Sequence, residues 1–265
     1  MSIIEALILG IIQGLTEFLP VSSSGHLELG SYFLGVESEN NLLFSILVHG
    51  ATALSTIVIF RKDILQIILG LFKFQWNEET IFASKIVLSM IPVGLVGLLF
   101  EDQVEALFGG KILLVGCMLV VTALLLSFTY FNKNHEGEVT FKSALIIGIA
   151  QAIAILPGIS RSGSTISTAL LLGVNRERAA RFSFLMVLPP IMGAMLLKIK
   201  DVAEAPSLAS DIPVLSLVVG FVAAFVAGLL ACQWMISIVK KGKLIYFAVY
   251  CGVIGILTVI GSLLF

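Results

Sequence analysis

Charged residues in this chain come in clusters, and the stretches between them are long enough to dictate where the chain can sit. Several windows of about 20 residues carry no charge, the length an α-helix needs to cross a hydrocarbon core of ~30 Å. Six segments read as full spans, at about 41–60, 85–100, 111–131, 179–199, 213–234 and 244–264. Their breaks fall at Arg61-Lys62-Asp63, Glu101-Asp102, Lys133 to Lys142, Lys200-Asp201 and Lys240-Lys241-Gly242-Lys243, the boundary signal of a membrane surface. Composition agrees, with 12% charged residues where ordinary soluble domains carry about 25%. The alternating pattern of a membrane β-barrel is absent. The expectation is an all-α membrane protein in a single membrane domain, residues 1–265, with lipid around it and no nucleic-acid partner. The first segment, Met1 to Phe18, has Glu5 where a secretory signal would be basic, so it reads as part of the mature fold. Cys117, Cys232 and Cys251 lie in apolar segments without CxxC spacing and read as small buried hydrophobes.

Two further regions, about 2–34 and 141–174, are hydrophobic but broken in the middle by Pro and Ser/Gly runs. Irregular backbone at membrane depth is tolerated where protein buries it or where it lines a cavity. Both regions therefore read as re-entrant hairpins. The two halves of the chain also repeat. At a constant offset of 138 residues, Gly10 meets Gly148, Gln13 meets Gln151, Ser22 meets Ser160, Ser24 meets Ser162, Gly25 meets Gly163 and Lys62-Asp63 meets Lys200-Asp201. Only Pro20 and Pro157 are a residue out of register. Residues 1–131 form a first repeat and 141–265 a second, each with one hairpin and three spans. An odd number of crossings makes the second half enter from the opposite side, an inverted-topology repeat.

Applying those crossings gathers Arg61, Lys62, Lys73, Lys85, Lys133, Lys142, Arg176, Arg178, Arg181, Lys240, Lys241 and Lys243 on one side. Lys111, Lys198 and Lys200 fall on the other, and Arg161 stays in the second hairpin. By the positive-inside rule the first side is cytoplasmic. The chain is then a multi-pass protein of the plasma (cell inner) membrane with both termini outside. The hairpins enter from opposite sides and their tips meet near the middle.

The polar residues sit at those tips. Gln13 and Glu17 are four apart, on one helix face. An ionisable residue at this depth is costly and faces a cavity or a partner. After Pro20 come Ser22, Ser23, Ser24, Gly25 and His26, at the start of the next helix. One serine caps a helix start, but three exceed that need. Free N–H groups there attract an anion, Gly25 allows close approach, and His26 offers acid–base chemistry. In the second hairpin, Pro157-Gly158 makes the break and Ser160, Arg161, Ser162, Gly163, Ser164 and Thr165 open the next helix. Arg161 either neutralises Glu17 or offers a planar fork to a phosphate, and the two roles are compatible. Ser164 replaces His26 and Ile155 replaces Glu17 in the second copy. Acid–base groups therefore belong to the first hairpin, while Gln13, Ser22, Ser24, Gly25, Ser160, Ser162, Gly163 and Thr165 read as substrate-binding. His49, mid-span, lines the cavity or bonds to a neighbouring helix. Arg176, Glu177, Arg178, Arg181, Asp63 and Asp201 read as surface charges, and small-residue runs at Gly94 to Gly97 and Gly220 to Ala224 permit packing within a chain or in a homodimer.

The run Gln13, Glu17 and Pro20-Val21-Ser22-Ser23-Ser24-Gly25-His26, with Pro157-Gly158-Ile159-Ser160-Arg161-Ser162-Gly163-Ser164-Thr165, resembles the motifs of the undecaprenyl-diphosphate phosphatase family of the bacitracin-resistance type. The likeness runs nearly end to end. It implies hydrolysis of a C55 isoprenoid diphosphate to the monophosphate, recycling the lipid carrier of cell-wall sugars. It also implies a divalent cation, Mg²⁺ or Ca²⁺, and Glu17, Ser23, His26 and Arg161 as the essential set. Gln13 takes the uncharged of the family's two options, so a metal would meet Glu17 and substrate phosphates. Ser23 is expected to attack phosphorus with Glu17 or His26 taking its proton; His26 as nucleophile is the alternative. A lipid-carrier flippase is the rival from another class, since inverted repeats with broken helices are transporter features. A type-2 phosphatidic acid phosphatase would need His where Ser167 stands.

Overall fold

The computed structural model describes residues 1–36, 42–107, 111–132, 136–204 and 212–264. Lys133 and the side chains of Lys198 and Asp201 lie outside that description. Among the described residues the chain forms helices and no strands: α1 (Ile3–Phe18), α2 (Ser23–Leu34), α3 (Leu42–Ile59), α4 (Arg61–Leu71), α5 (Glu78–Leu99), α6 (Glu101–Glu105), α7 (Ile112–Phe131), α8 (Phe141–Ile153), α9 (Arg161–Leu171), α10 (Arg176–Met186), α11 (Leu188–Glu204), α12 (Val214–Lys240) and α13 (Ile245–Leu264). Among the described residues five stretches are long and apolar enough to cross a membrane, and the sixth expected span is α3, which bends by 75° into α4. The chain is an all-α membrane protein.

Boundaries moved where caps decide them. The span expected from about residue 85 starts at Glu78, because the Asn77 side chain accepts from Thr80 N–H at 2.9 Å and fixes the first turn there. Lys85 therefore lies inside α5, its ammonium 5.5 Å from the Phe141 ring centroid. The span near 179–199 is two helices meeting at Val187, ahead of Pro189 and Pro190, whose rings cannot continue the hydrogen-bond ladder. Cys232 and Cys251 are buried as expected, but Cys117 is exposed.

Both broken regions are helix–break–helix units. A capping box of Ser2 and Glu5 starts α1, and the equivalent box of Thr140 and Ser143 starts α8. Gly30 of α2 lies against Leu9 and Ile12 of α1, so the pair folds back on itself. Helix α1 packs along α12, and α8 packs along α5. Both contacts rest on absent side chains. A Cβ on Gly10 would strike the Gly220 carbonyl, and one on Gly148 would strike the Ser89 carbonyl. In lipid, where apolar area gives helices no reason to associate, such close backbone approach is the main source of packing energy. The Gly220 to Ala224 run is thus used inside the chain, whereas Gly94 and Gly97 have no neighbour within 4 Å of a built Cβ.

The basic helix ends gather at one end of the bundle. Arg181 Nε donates to Asp63 at 2.6 Å, Arg178 pairs with Glu138 at 3.0 Å, and Lys240 with Glu177 at 2.8 Å. Asp63 and Arg181, expected as separate surface charges, are half-buried against each other, and the guanidinium lies 4.8 Å from the Phe82 centroid. Met1 sits at the opposite end, its carbonyl accepting from Ser216 at the start of α12.

Gly148→Leu is expected to lower unfolding stability in detergent by about 1–3 kcal/mol or more through overpacking. Gly261→Ala, with nothing within 4 Å, should cost nothing. Paired denaturation curves check both.

Candidate active site

The two breaks meet. Leu19 is extended, as a residue before Pro must be, and ends α1. Ser22 then takes φ 71°, an uncommon left-handed conformation for a residue with a Cβ. This aims its hydroxyl back at Gly25 N–H (3.2 Å), capping α2. In the second break, Gly158 has φ 97° and passes so close to α7 that a Cβ would lie 2.5 Å from the Val115 carbonyl. Thr122 of α7 clamps this turn. Its hydroxyl donates to Gly158 O at 3.2 Å and accepts from Ser160 N–H at 3.0 Å. Ser160 caps α9 through Gly163 N–H at 3.1 Å. Across the meeting point, Ser162 Oγ donates to Leu19 O at 3.2 Å. A Cβ on Gly25 would lie 3.1 Å from Gly158 Cα, and one on Gly163 would lie 3.3 Å from Pro20 Cβ.

Glu17 is the centre of the junction. Oε1 is paired with Arg161 Nη2 across the two breaks. Oε2 accepts from Ser23 Oγ at 2.6 Å and from Gln13 Nε2 at 3.0 Å. With side-chain exposures of 5% for Glu17 and 24% for Arg161, this is a largely buried ion pair. Such a pair survives in a low-dielectric setting only where hydrogen bonds satisfy the remaining oxygens. Below it lies a hydroxyl layer. Thr165 Oγ1 donates to Arg161 O at 3.0 Å and is bonded to Ser183 Oγ, beside Thr52 and Thr56.

A cavity of about 590 Å³ opens from this junction. Its polar end is lined by Glu17, Ser23, Ser24, His49, Gln151 and Arg161. Its other walls are apolar: Val93, Gly94, Gly97 and Leu98 of α5, Val104 of α6, Ile155 and Ile159, and Pro190, Gly193, Ala194 and Leu197 of α11. The cavity runs along α5 away from the basic end of the bundle. Three buried groups at the junction lack partners: Gln13 Oε1, Arg161 Nη1, and both amide atoms of Gln151. Unpaired buried polar atoms cost about 1–3 kcal/mol each, so the pocket is built for a polar guest.

The sequence-assigned residues separate into three groups. Glu17, Ser23 and Arg161 come together in the cavity, with Gln13 behind Glu17 and Ser24 in the wall. Ser22, Gly25, Ser160, Ser162, Gly163 and Thr165, expected to bind substrate, cap and pack the junction, with Ser162 and Thr165 beside Glu17 and Arg161. His26 turns to a different neighbour. Its Nδ1 donates to Ser22 O at 2.9 Å, and its Nε2 meets Tyr250 Oη at 2.9 Å, with the rings stacked 5.6 Å apart. A carbonyl can only accept, so Nδ1 carries the proton and Nε2 accepts from the tyrosine. Tyr250 had no signal in the sequence. His49 lines the cavity, and its Nδ1 lies 2.9 Å from Ser45 O one turn earlier in the same helix rather than against a neighbouring one.

The donor set does not form a protein-held metal site. Among the described residues no three of His, Cys, Asp or Glu cluster to hold an ion, and both Glu17 oxygens are engaged.

Comparison with known proteins agrees with this picture. The family model described as bacitracin resistance protein BacA matches residues 6–257. An undecaprenyl-diphosphatase of Bacteroides fragilis is 60% identical over 259 residues, 97% of each chain. One from Bacteroides thetaiotaomicron is 58% identical over 264 residues, 99% of this chain and 100% of the relative. An undecaprenyl-diphosphatase of the more distant Methanosphaera stadtmanae is 41% identical across 99% of both chains.

Arg161→Met leaves the Glu17 carboxylate buried and unpaired, and is expected to cost about 3–5 kcal/mol of stability. Adding Glu17→Gln should restore most of it. Thermal denaturation of the single and double variants in detergent checks the coupling.

Proposed function

The chain belongs to the bacitracin resistance protein BacA family, and from that premise we propose that it hydrolyses undecaprenyl diphosphate to undecaprenyl phosphate and inorganic phosphate. The observation that carries the reading is the Ser23 hydroxyl, 2.6 Å from a buried carboxylate and beside an arginine, at the polar end of an otherwise apolar cavity. A lipid diphosphate has the same division into charged head and apolar tail.

In this reading each group at the junction has a role. Arriving phosphate oxygens compete with Glu17 for Arg161, whose Nη1 is already free to receive them. Released from the guanidinium, Glu17 Oε2 takes the proton of Ser23 as its Oγ attacks the terminal phosphorus. The phosphorus–bridging oxygen bond breaks and undecaprenyl phosphate leaves with the bond's electron pair. Arg161 and the first-turn N–H groups of α9 face the charge that builds on the phosphoryl oxygens. Glu17 gives the serine proton to the departing undecaprenyl phosphate and is free to deprotonate a water, which attacks the phosphoserine; the phosphorus–Oγ bond breaks, Glu17 returns the proton to Ser23 Oγ, and inorganic phosphate leaves. Attack by His26 would first require its Nε2 to leave Tyr250, which favours Ser23 as the nucleophile.

A divalent cation, Mg²⁺ or Ca²⁺, would offset the charge of the diphosphate, held by the substrate phosphates and Glu17, the carboxylate among the cavity's described lining residues. The basic end is read as cytoplasmic, which puts both termini outside, in the inner membrane, and lets substrate enter from the outer leaflet. The repeats 1–131 and 141–265 then insert in opposite senses.

Purified protein in detergent is expected to release inorganic phosphate from undecaprenyl diphosphate. A flippase built on the same scaffold would release none. Ser23→Ala and Glu17→Gln should each lower kcat by ~100-fold or more, and phosphohistidine in a trapped intermediate would sink the serine route.

A further inference from the structure

Gln151 has a place in the site that the reaction above leaves unused. It lies in the last turn of α8, is 2% exposed, and lines the cavity that holds Glu17, Ser23 and Arg161. Neither its amide nitrogen nor its amide oxygen has a partner. Its counterpart 138 residues earlier is Gln13, whose Nε2 donates to Glu17 Oε2 at 3.0 Å. Four residues after Gln151 stands Ile155, so the same amide at the same helical position has lost its carboxylate. A fully buried, unsatisfied carboxamide is destabilising by itself. Its N–H₂ needs an acceptor, and in the cavity wall an anionic oxygen brought by the ligand supplies one.

Gln151 comes from α8, which packs on α5, and shares the cavity lining with the apolar Met90 and Val93 of α5 and Ile155. Ser23 and Arg161 line the same cavity from α2 and α9. We propose that Gln151 binds the lipid-attached phosphate of the substrate, its amide N–H₂ donating to the non-bridging oxygens while Ser23 and Arg161 take the terminal phosphate. The assignment rests on the phosphatase reading and adds a residue that distinguishes a prenyl diphosphate from free phosphate.

The test uses the full-length protein in detergent with Gln151→Met, which keeps the volume and removes the polar atoms. Without ligand the variant is expected to melt at or above the wild-type temperature, because an unsatisfied group has been replaced by an apolar one. KM for undecaprenyl diphosphate should rise about tenfold, the loss of one hydrogen bond to a charged group, with kcat little changed. The inhibition constant of undecaprenyl phosphate should rise with it, and that of inorganic phosphate should not. An unchanged KM, a rise confined to inorganic phosphate, or a lower melting temperature with loss of kcat alone would each overturn the proposal. Inactive wild-type protein would instead overturn the phosphatase reading itself.

Discussion

A single ion pair closes this molecule's centre. Glu17 comes from the end of α1 and Arg161 from the start of α9, two residues separated by a whole repeat of the chain and joined at the meeting of two broken helices. Either charge alone at membrane depth would be costly enough to expel the segment that carries it. Together, with Gln13 and Ser23 satisfying the second carboxylate oxygen, they hold both breaks in place. The same bond also sets the reactivity. The carboxylate accepts from a serine hydroxyl, and the arginine keeps one nitrogen uncommitted. A ligand anion can then bind that nitrogen before it competes with Glu17 for the other.

Holding that pair in register is a backbone problem, and glycine solves most of it. Helix α1 rests on α12 through Gly10 and Gly14, while α8 rests on α5 through Gly148. The depth to which each hairpin reaches follows from those contacts. At the tips, Gly25 and Gly158 let the two chains pass with no side chain between them, and Thr122 fixes the second turn to α7. Many of the conspicuous serines are therefore structural. Ser22 and Ser160 cap helices, and Ser162 ties one break to the other.

Spans and breaks could be read from the sequence because each leaves a one-dimensional trace: uncharged length, and Pro and Gly punctuation. The pairing of Glu17 with Arg161 was legible too, since a lone acid and a lone base in lipid have few alternatives. What could not be read was direction. Nothing in Ser-Gly-His says that Ser23 faces Glu17 while His26, three residues on, faces Tyr250 of α13. Helical rotation and the approach of a distant span decide that. The start of α5 was misplaced by seven residues because the asparagine cap at Asn77 outweighs the hydropathy of the segment. Gln151 was visible as an echo of Gln13, but only its burial without a partner gives the echo a consequence.

The glycine-flanked wall of the cavity has an implication for what the protein measures. At about 590 Å³ the space matches a pocket for a drug-sized molecule, about 300–1,000 Å³, and falls well short of a container for a long prenyl chain. Along Gly94, Gly97 and Gly193 there are no side chains to grip successive isoprene units. Most of a tail would remain dissolved in the surrounding bilayer while its first few carbons lie in the groove. Selection would then fall on the head, and the tail would act as a tether that confines the search for substrate to two dimensions.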